Sequence, residues 1–477
     1  MKRTFILILT ALLAAGTVGC KESTNDPAVT DAPDAADTTA VETEEPKPEL
    51  PEKDYEGYTF RIYNAQDYIL SEGIDGEVLN DAIYKANETV CNDFNITFEN
   101  IQGNSMDSAT ITKSIASQDD AYDMINFHDC TTASLALEGM FLEINGLPYT
   151  DTSAPWWPQH IVNSLTVNDR MYYFSNYISY SPLYGTNATF FNKKLIKDYN
   201  LESPYDITRS GEWTIDKIAE LSKAVYADNN GSSKPDDGDT FGFIATNFPY
   251  RWLESFGVEA YKKESDDATA LSLDINNERT VSLVEKLHNW LYGGNNAIWA
   301  NFNEFSTKDW DTFTQGNALF TFAPIGAIAP MLMDTNTDFG IVPMPKLDSA
   351  QSSYMSGMNS TLLSVPITIA DEERTGVIIE AMSYAGYKNI LPAYIQDTLQ
   401  GRYATDIDSV EMLDLVYENQ VMSFAYLFAN NVPDGMQFRL LFETVPNNTF
   451  SSWYKKVERK ELKMLDTLAE FYTKIDG

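Results

Sequence analysis

Cysteine is scarce in this chain, with three among 477 residues, at positions 20, 91 and 130. That count excludes a disulfide scaffold. Histidine is equally rare, and His128, His160 and His288 are scattered without the His-x-x-x-His spacing of a helical zinc site. No Gly-x-Ser-x-Gly nucleophile elbow and no phosphate-cradling glycine loop is present. Positive charge is short as well: 33 Lys and Arg stand against 70 Asp and Glu, a formal net charge of −37. Such a surface makes nucleic acid a poor partner and suits neutral or cationic ligands, although plain solubility explains it equally. With so many carboxylates, no single pair marks a catalytic site, and a glycosidase can hold its two far apart in sequence.

The N-terminus reads as an export signal over residues 1–19. Lys2 and Arg3 provide the charged start and Phe5 to Ala15 the apolar core. That core is too short to span a bilayer, which takes roughly 20 apolar residues. Thr17-Val18-Gly19-Cys20 follows and resembles the bacterial lipobox, with Thr17 in place of the usual Leu. The resemblance implies a diacylglycerol on Cys20; an ordinary secretory signal with a coincidental cysteine is the other reading. Residues 20–54 are rich in Asp, Glu, Thr, Ala and Pro and cannot bury enough surface to offset ordering entropy. This acidic linker would let a globular head stand on the order of 30 Å off the membrane. With Cys20 assigned to lipid, Cys91 and Cys130 remain, as two buried thiols or as one bond.

From Tyr55 onward the chain is long enough for two or three cores. Tyr58 to Tyr63 reads as a strand. Val78, Ala82, Ala86, Val90 and Phe94 mark one face of a helix. Ile96 to Phe98 is a second strand, Thr110 to Ser117 a helix and Tyr122 to Phe127 a third strand. This alternation predicts a parallel, right-handed α/β unit. Ligands of such sheets bind outside the carboxyl ends of the strands, which singles out Asn64 and Asp67 after the first strand, and Phe127, His128 and Asp129 at the third.

Aromatic side chains, 13% of the chain, are the next signal. Their faces stack on the C–H patches of sugar rings, while a few placed polar groups take the hydroxyls. Trp157, Tyr184 and Trp252 are the candidates, with core packing as the competing role. Separately, Asp228, Asn230, Ser232, the Lys234 carbonyl, Asp236 and Asp239 fall at positions 1, 3, 5, 7, 9 and 12 of a loop, the ligand spacing of a calcium loop. Ser233 stands where such loops need Gly, and Asp rather than Glu closes the loop. The segment therefore reads either as a structural calcium site or as an acidic surface turn.

One stretch binds these observations together. Phe191-Asn192-Lys193-Lys194, Trp213-Thr214, the Asp-rich loop and Phe241-Gly242-Phe243 occur in order between Thr189 and Phe243. Phe313-Thr314-Gln315-Gly316-Asn317-Ala318 and Gly340-Ile341-Val342-Pro343-Met344-Pro345 come later. The set resembles family 1 extracellular solute-binding proteins, the maltose-binding-like capture subunits of ABC importers. The resemblance implies an α/β, two-lobed periplasmic-binding-protein fold of type II, with the ligand in a cleft spanned by hinge crossings. It implies a first lobe over residues 55–186, a second over 187–345, a return to the first over 346–400 and C-terminal helices over 401–477. It adds Met358 and Asn359, on the return crossing, to the ligand contacts. It further implies a monomeric lipid-anchored lipoprotein on the extracellular or periplasmic face of the cell membrane, not an enzyme, requiring no cofactor. Its partners would be a small solute, most simply a carbohydrate, and the permease subunits of an ABC transporter. A lipid-anchored glycan-processing enzyme and a surface sensor that binds without transport are the rival readings.

Overall fold

The computed structural model describes residues 45–473, apart from 67, 105–106, 246–248, 264–270, 303–305, 307, 327–330, 333–334, 336, 397–405 and 433–434. The signal segment, Cys20 and Asp67 lie outside the described residues. Residues 47–477 form one compact unit, which holds two larger and two two-stranded sheets.

The folded head begins before the composition changes. Leu50 packs against the core, Lys53 pairs with Glu373 at 3.0 Å and Asn95 Nδ2 donates to Asp54 at 2.7 Å. The acidic linker therefore ends short of Asp54, because a few contacts suffice to lay an otherwise polar strand of chain on an existing surface.

Strand β1 (Tyr58–Asn64), helix α1 (Val78–Phe94), β2 (Ile96–Gln102), α2 (Ser108–Ser117) and β3 (Met124–His128) build the first sheet. β1 lies between β2 and β3 and runs parallel to both, with Tyr58 opposite Ile96 and Ile62 opposite Met124. Ala82, Ile83, Ala86, Val90 and Phe94 form the buried face of α1. The helix stops where Asn95 takes a left-handed conformation, φ 49°, and its N–H bonds Cys91 O. Short helices α3 (Asp129–Leu137), α4 (Gln159–Leu165) and α5 (Ser181–Tyr184) lead to β4 (Asn187–Asn192), where the chain enters the second sheet.

The second sheet grows from the signature stretch. The Asn192 side chain accepts from Leu195 N to start α6 (Lys193–Asp198). After α7 (Pro204–Arg209), Thr214 caps α8 (Ile215–Lys223) by accepting from Lys217 N at 3.3 Å. Trp213 is fully buried and its Nε1 donates to Pro343 O at 2.9 Å, so it acts as a packing anchor. Then come β5 (Tyr226–Ala227), β6 (Thr240–Ala245), the ribbon of β7 (Tyr261–Lys263) and β8 (Leu271–Leu273), α9 (Glu278–Leu291), β9 (Ile298–Ala300), α10 (Lys308–Thr314), β10 (Ala318–Pro324) and β11 (Phe339–Val342). The sheet order is β11-β4-β10-β6-β5, with β9 beside β6. β4 is antiparallel to both neighbours, whereas β10 and β6 are parallel. Every residue of β10 is buried, as a central strand covered on both faces requires.

The chain returns through β12 (Ser356–Gly357) to β13 (Thr361–Ser364), which joins the first sheet antiparallel to β3. Helix α11 (Glu372–Ala393) then packs on α1. Helix α12 (Ile407–Glu418) lies on β11, β14 (Gln420–Val421) pairs with β12, and α13 (Phe424–Leu427) touches α3. α14 (Met436–Thr444) and α15 (Phe450–Thr473) close the described chain. Cys91 and Cys130 are free thiols.

Candidate functional site

Three passages of chain between the two sheets lie side by side. Thr186 and Met358 form an antiparallel bridge, and Ser356 and Gly357 pair in parallel with Gln420 and Val421. Asn187 Nδ2 donates to Gly357 O at 2.7 Å, and Gln420 Nε2 to Thr186 Oγ1 at 2.6 Å. Asn359 N donates to Gly185 O at 3.3 Å; a Cβ on residue 185 would sit 1.8 Å from Asn359 O, so only glycine permits this approach. Few-residue crossings of this kind are what a hinge between two bodies needs.

The carboxyl ends of β1 and β3 come up against these crossings. Asn64 and Asn126 are register partners and both fully buried. Asn126 Nδ2 donates to Asn64 Oδ1 at 2.8 Å and to Gln66 O at 3.1 Å. Asn64 Nδ2 and Asn126 Oδ1 are left with no protein partner. One spare donor beside one spare acceptor, without charge, is the complement of a hydroxyl group or a water.

Asp129 follows β3 as the first residue of α3, where a carboxylate meets the positive end of the helix. Its Oδ1 accepts from Cys130 N at 2.7 Å and lies 3.1 Å from His128 Nδ1; its Oδ2 is 3.5 Å from Asn359 Nδ2. His128 is partly exposed. His128, Asp129 and Cys130 are, among the described residues, the one trio of metal-capable donors within 4.8 Å of one another. The trio is poorly prepared for a metal: Cys130 Sγ is turned to Tyr426 O at 3.1 Å, and burial pushes its thiol well above the ordinary value.

Aromatics complete the arrangement. The Tyr184 ring, half-buried at the first crossing, lies 5.5 Å from Tyr68, which sits edge-on to Tyr180 at 4.9 Å. Burial raises the Tyr184 phenol, and Arg251 pulls it the other way. Gly326, just past β10, abuts the same ring.

His128, Asp129, Tyr184 and Asn359 are thus gathered around the crossings, with Met358 buried in the Thr186 bridge itself, while Asn64 stands at the end of β1 against Asn126. Three other candidates lie elsewhere. Trp157 is fully buried in the first half, its Nε1 on Glu380 Oε2 at 2.9 Å, with the Trp156 indole on the other oxygen at 2.7 Å. Trp252 packs edge-on against Phe322 and Phe302, at 5.0 and 5.5 Å. Phe127 points into the first core. Alternation along β3 puts Phe127 and Asn126 on opposite sides of the strand, and the polar one is Asn126. An asparagine inside the apolar run Met124-Ile125-Asn126-Phe127 was the missed signal.

The calcium-spaced loop spends its oxygens on its own chain. Asp228 Oδ1 accepts from Gly231 N and Ser232 N at 2.6 and 3.1 Å, and Oδ2 from Ser233 N at 2.9 Å. Ser232 Oγ donates to Lys234 O at 2.6 Å, and Asn230 Nδ2 to Asp236 Oδ1 at 2.7 Å. Asp239 is buried and accepts from Tyr226 OH at 2.8 Å. Ser233 adopts the left-handed conformation, φ 64°, in place of the missing glycine.

Comparison with known proteins agrees with this architecture. The family model of the bacterial extracellular solute-binding protein matches residues 71–371. The chain belongs to that family, and its fold is that of periplasmic-type binding proteins. An ABC substrate-binding protein of Listeria monocytogenes, solved with cycloalternan, is similar over 86% of this chain and 98% of its own, with TM-score 0.56 at 15% identity. The GacH receptor of Streptomyces glaucescens, solved unliganded and with acarbose, is similar over 84% and 99%, with TM-score 0.54 at 13% identity. UgpB of Mycobacterium tuberculosis, solved with glycerophosphocholine, is similar over 86% and 99%, with TM-score 0.52 at 14% identity. No curated protein sequence matches the chain.

Proposed function

We propose that this protein captures an oligosaccharide between its two sheets by hinge closure and delivers it to the permease of an ABC importer, from a lipid anchor on Cys20. The observation that carries the reading is the meeting of neutral amides and tyrosine faces at the crossings. Asn64 and Asn126 offer an uncharged donor and acceptor, Asp129 and Asn359 offer further hydroxyl partners, and Tyr68 and Tyr184 offer ring faces. Two of the structural neighbours were solved with cycloalternan and with acarbose, which supports a carbohydrate; the third was solved with glycerophosphocholine. No cofactor is needed for closure, and a structural calcium in the 228–239 loop would share oxygens that already accept hydrogen bonds from the loop itself.

Solution scattering of the whole protein tests the capture step. Malto-oligosaccharides should reduce the radius of gyration and raise the melting temperature, with glycerophosphocholine, peptides and polyamines as comparison arms. Compaction with a comparison arm alone would replace the sugar; compaction with none would remove the transport reading. Release of the protein from membranes on Cys20→Ala tests the anchor.

A further inference from the structure

A cavity of about 450 Å³ shares no lining residue with the site at the crossings. Lys346 lines its interior and is only 7% exposed. The Trp-Thr motif fixes that lysine: Lys346 N donates to Trp213 O at 3.0 Å, and Ile215 N donates to Lys346 O at 2.8 Å. Its Nζ lies 5.3 Å from the Tyr354 ring centroid, the one partner the described residues give this ammonium. Tyr354 is itself held, by donating to Thr208 O at 2.9 Å and accepting from Trp213 N at 3.3 Å. The ammonium reaches the cavity with only a ring face beside it, and an anionic or strongly accepting group would complement it there.

Other lining residues carry the opposite sign. Glu411, Asp414 and Glu418 lie on one face of α12, three and four residues apart, and line the same cavity. Arg209 neutralises Glu411, at 2.6 Å, while also engaging Asp408 and Asp206. Asp414 and Glu418 remain exposed and outside any ion pair among the described residues. A simple anion would be repelled at this rim, and a simple cation would meet the lysine inside. We propose that the cavity binds a small zwitterion of amino-acid or dipeptide type, with its carboxylate on Lys346 and its ammonium on Asp414 and Glu418. The volume falls within the range of small-molecule sites, roughly 300–1,000 Å³.

Calorimetric titration of the whole protein with alanyl-alanine, and in parallel with acetate and ethylammonium, tests this assignment. Saturable dipeptide binding is expected, at least tenfold tighter than either single-charge probe. Lys346→Met and Asp414→Asn should each weaken it at least tenfold. Ser353→Trp, on an exposed lining residue, should block the cavity without touching the core, and keeps the test decisive if Lys346→Met fails to fold. Absence of saturable dipeptide binding, binding unchanged in all three variants, or ethylammonium binding as tightly as the dipeptide would each overturn the proposal.

Discussion

The ring of Tyr184 occupies the space that a side chain on Gly326 would need. A Cβ there would meet Tyr184 Cδ2 at 2.1 Å. Another neighbour of the ring is Tyr68, in the loop after the first strand, at 5.5 Å. One residue of the first crossing is therefore in contact with both Gly326 and Tyr68.

Gly326→Val should displace that ring. Overpacking of this kind costs about 1–3 kcal/mol, measurable by urea denaturation. Adding Tyr184→Ala should recover most of the loss, since it empties the contested space. Strictly additive effects in the double-mutant cycle would show that the two positions do not touch.

Glu380 gives a pH dependence with a definite sign. It is 1% exposed, and its oxygens meet the two neutral indole N–H groups of Trp156 and Trp157. Burial outweighs those bonds and pushes its carboxyl from the ordinary 4.5 up to about 7. Between those values the folded state keeps a proton that the unfolded state releases, so stability falls as pH rises through the window and levels off above it. One group shifted this far contributes roughly 3 kcal/mol. Glu254 and Glu259 are raised in the same direction by burial, so the trend should shrink, not vanish, in Glu380→Gln. Denaturation at pH 5 and pH 7.5 should show the advantage of the native side chain over Gln largest at pH 5.

Lys263 closes the end of another element. Its Nζ donates to Thr166 O at 2.8 Å, to Ser164 O at 3.2 Å and to Asn163 O, the free carbonyls at the C-terminus of α4. Lys263→Met keeps the stem and removes the charge, and should cost about 1–2 kcal/mol. Hydrogen exchange should accelerate in α4. Unchanged exchange there would mean the ammonium does not hold these carbonyls.

Asp228 caps three backbone N–H groups whether or not a cation is present. Asp228→Ala should therefore cost about 1–2 kcal/mol even in excess EGTA. A structural calcium would add to this: chelation should lower the melting temperature of the native chain by a few degrees and leave Asp228→Ala unaffected. Identical melting of the native chain with calcium and with EGTA would leave the loop held by its hydrogen bonds alone.

Much of the architecture is local and was therefore readable. The apolar face of α1, the Thr214 cap and the buried Trp213 follow from residue spacing within single elements. Site residues were legible only in part, because strand ends point to regions rather than to side chains. His128, Asp129, Tyr184, Met358 and Asn359 are gathered at the crossings, whereas Trp157 and Trp252 are core anchors. Large aromatic rings look alike in a sequence whether they face a ligand or a neighbouring ring.

By itself the sequence determined the family, the order of strands and helices and the excess of negative charge, since these rest on composition and short-range pattern. Only the tertiary structure decided which polar groups were left without partners. The spare amides of Asn64 and Asn126, and the sharing of one cavity by Lys346 and Asp414, each depend on what packs around them. Burial and hydrogen-bond satisfaction are properties of residues brought together from distant parts of the chain, and no local pattern records them.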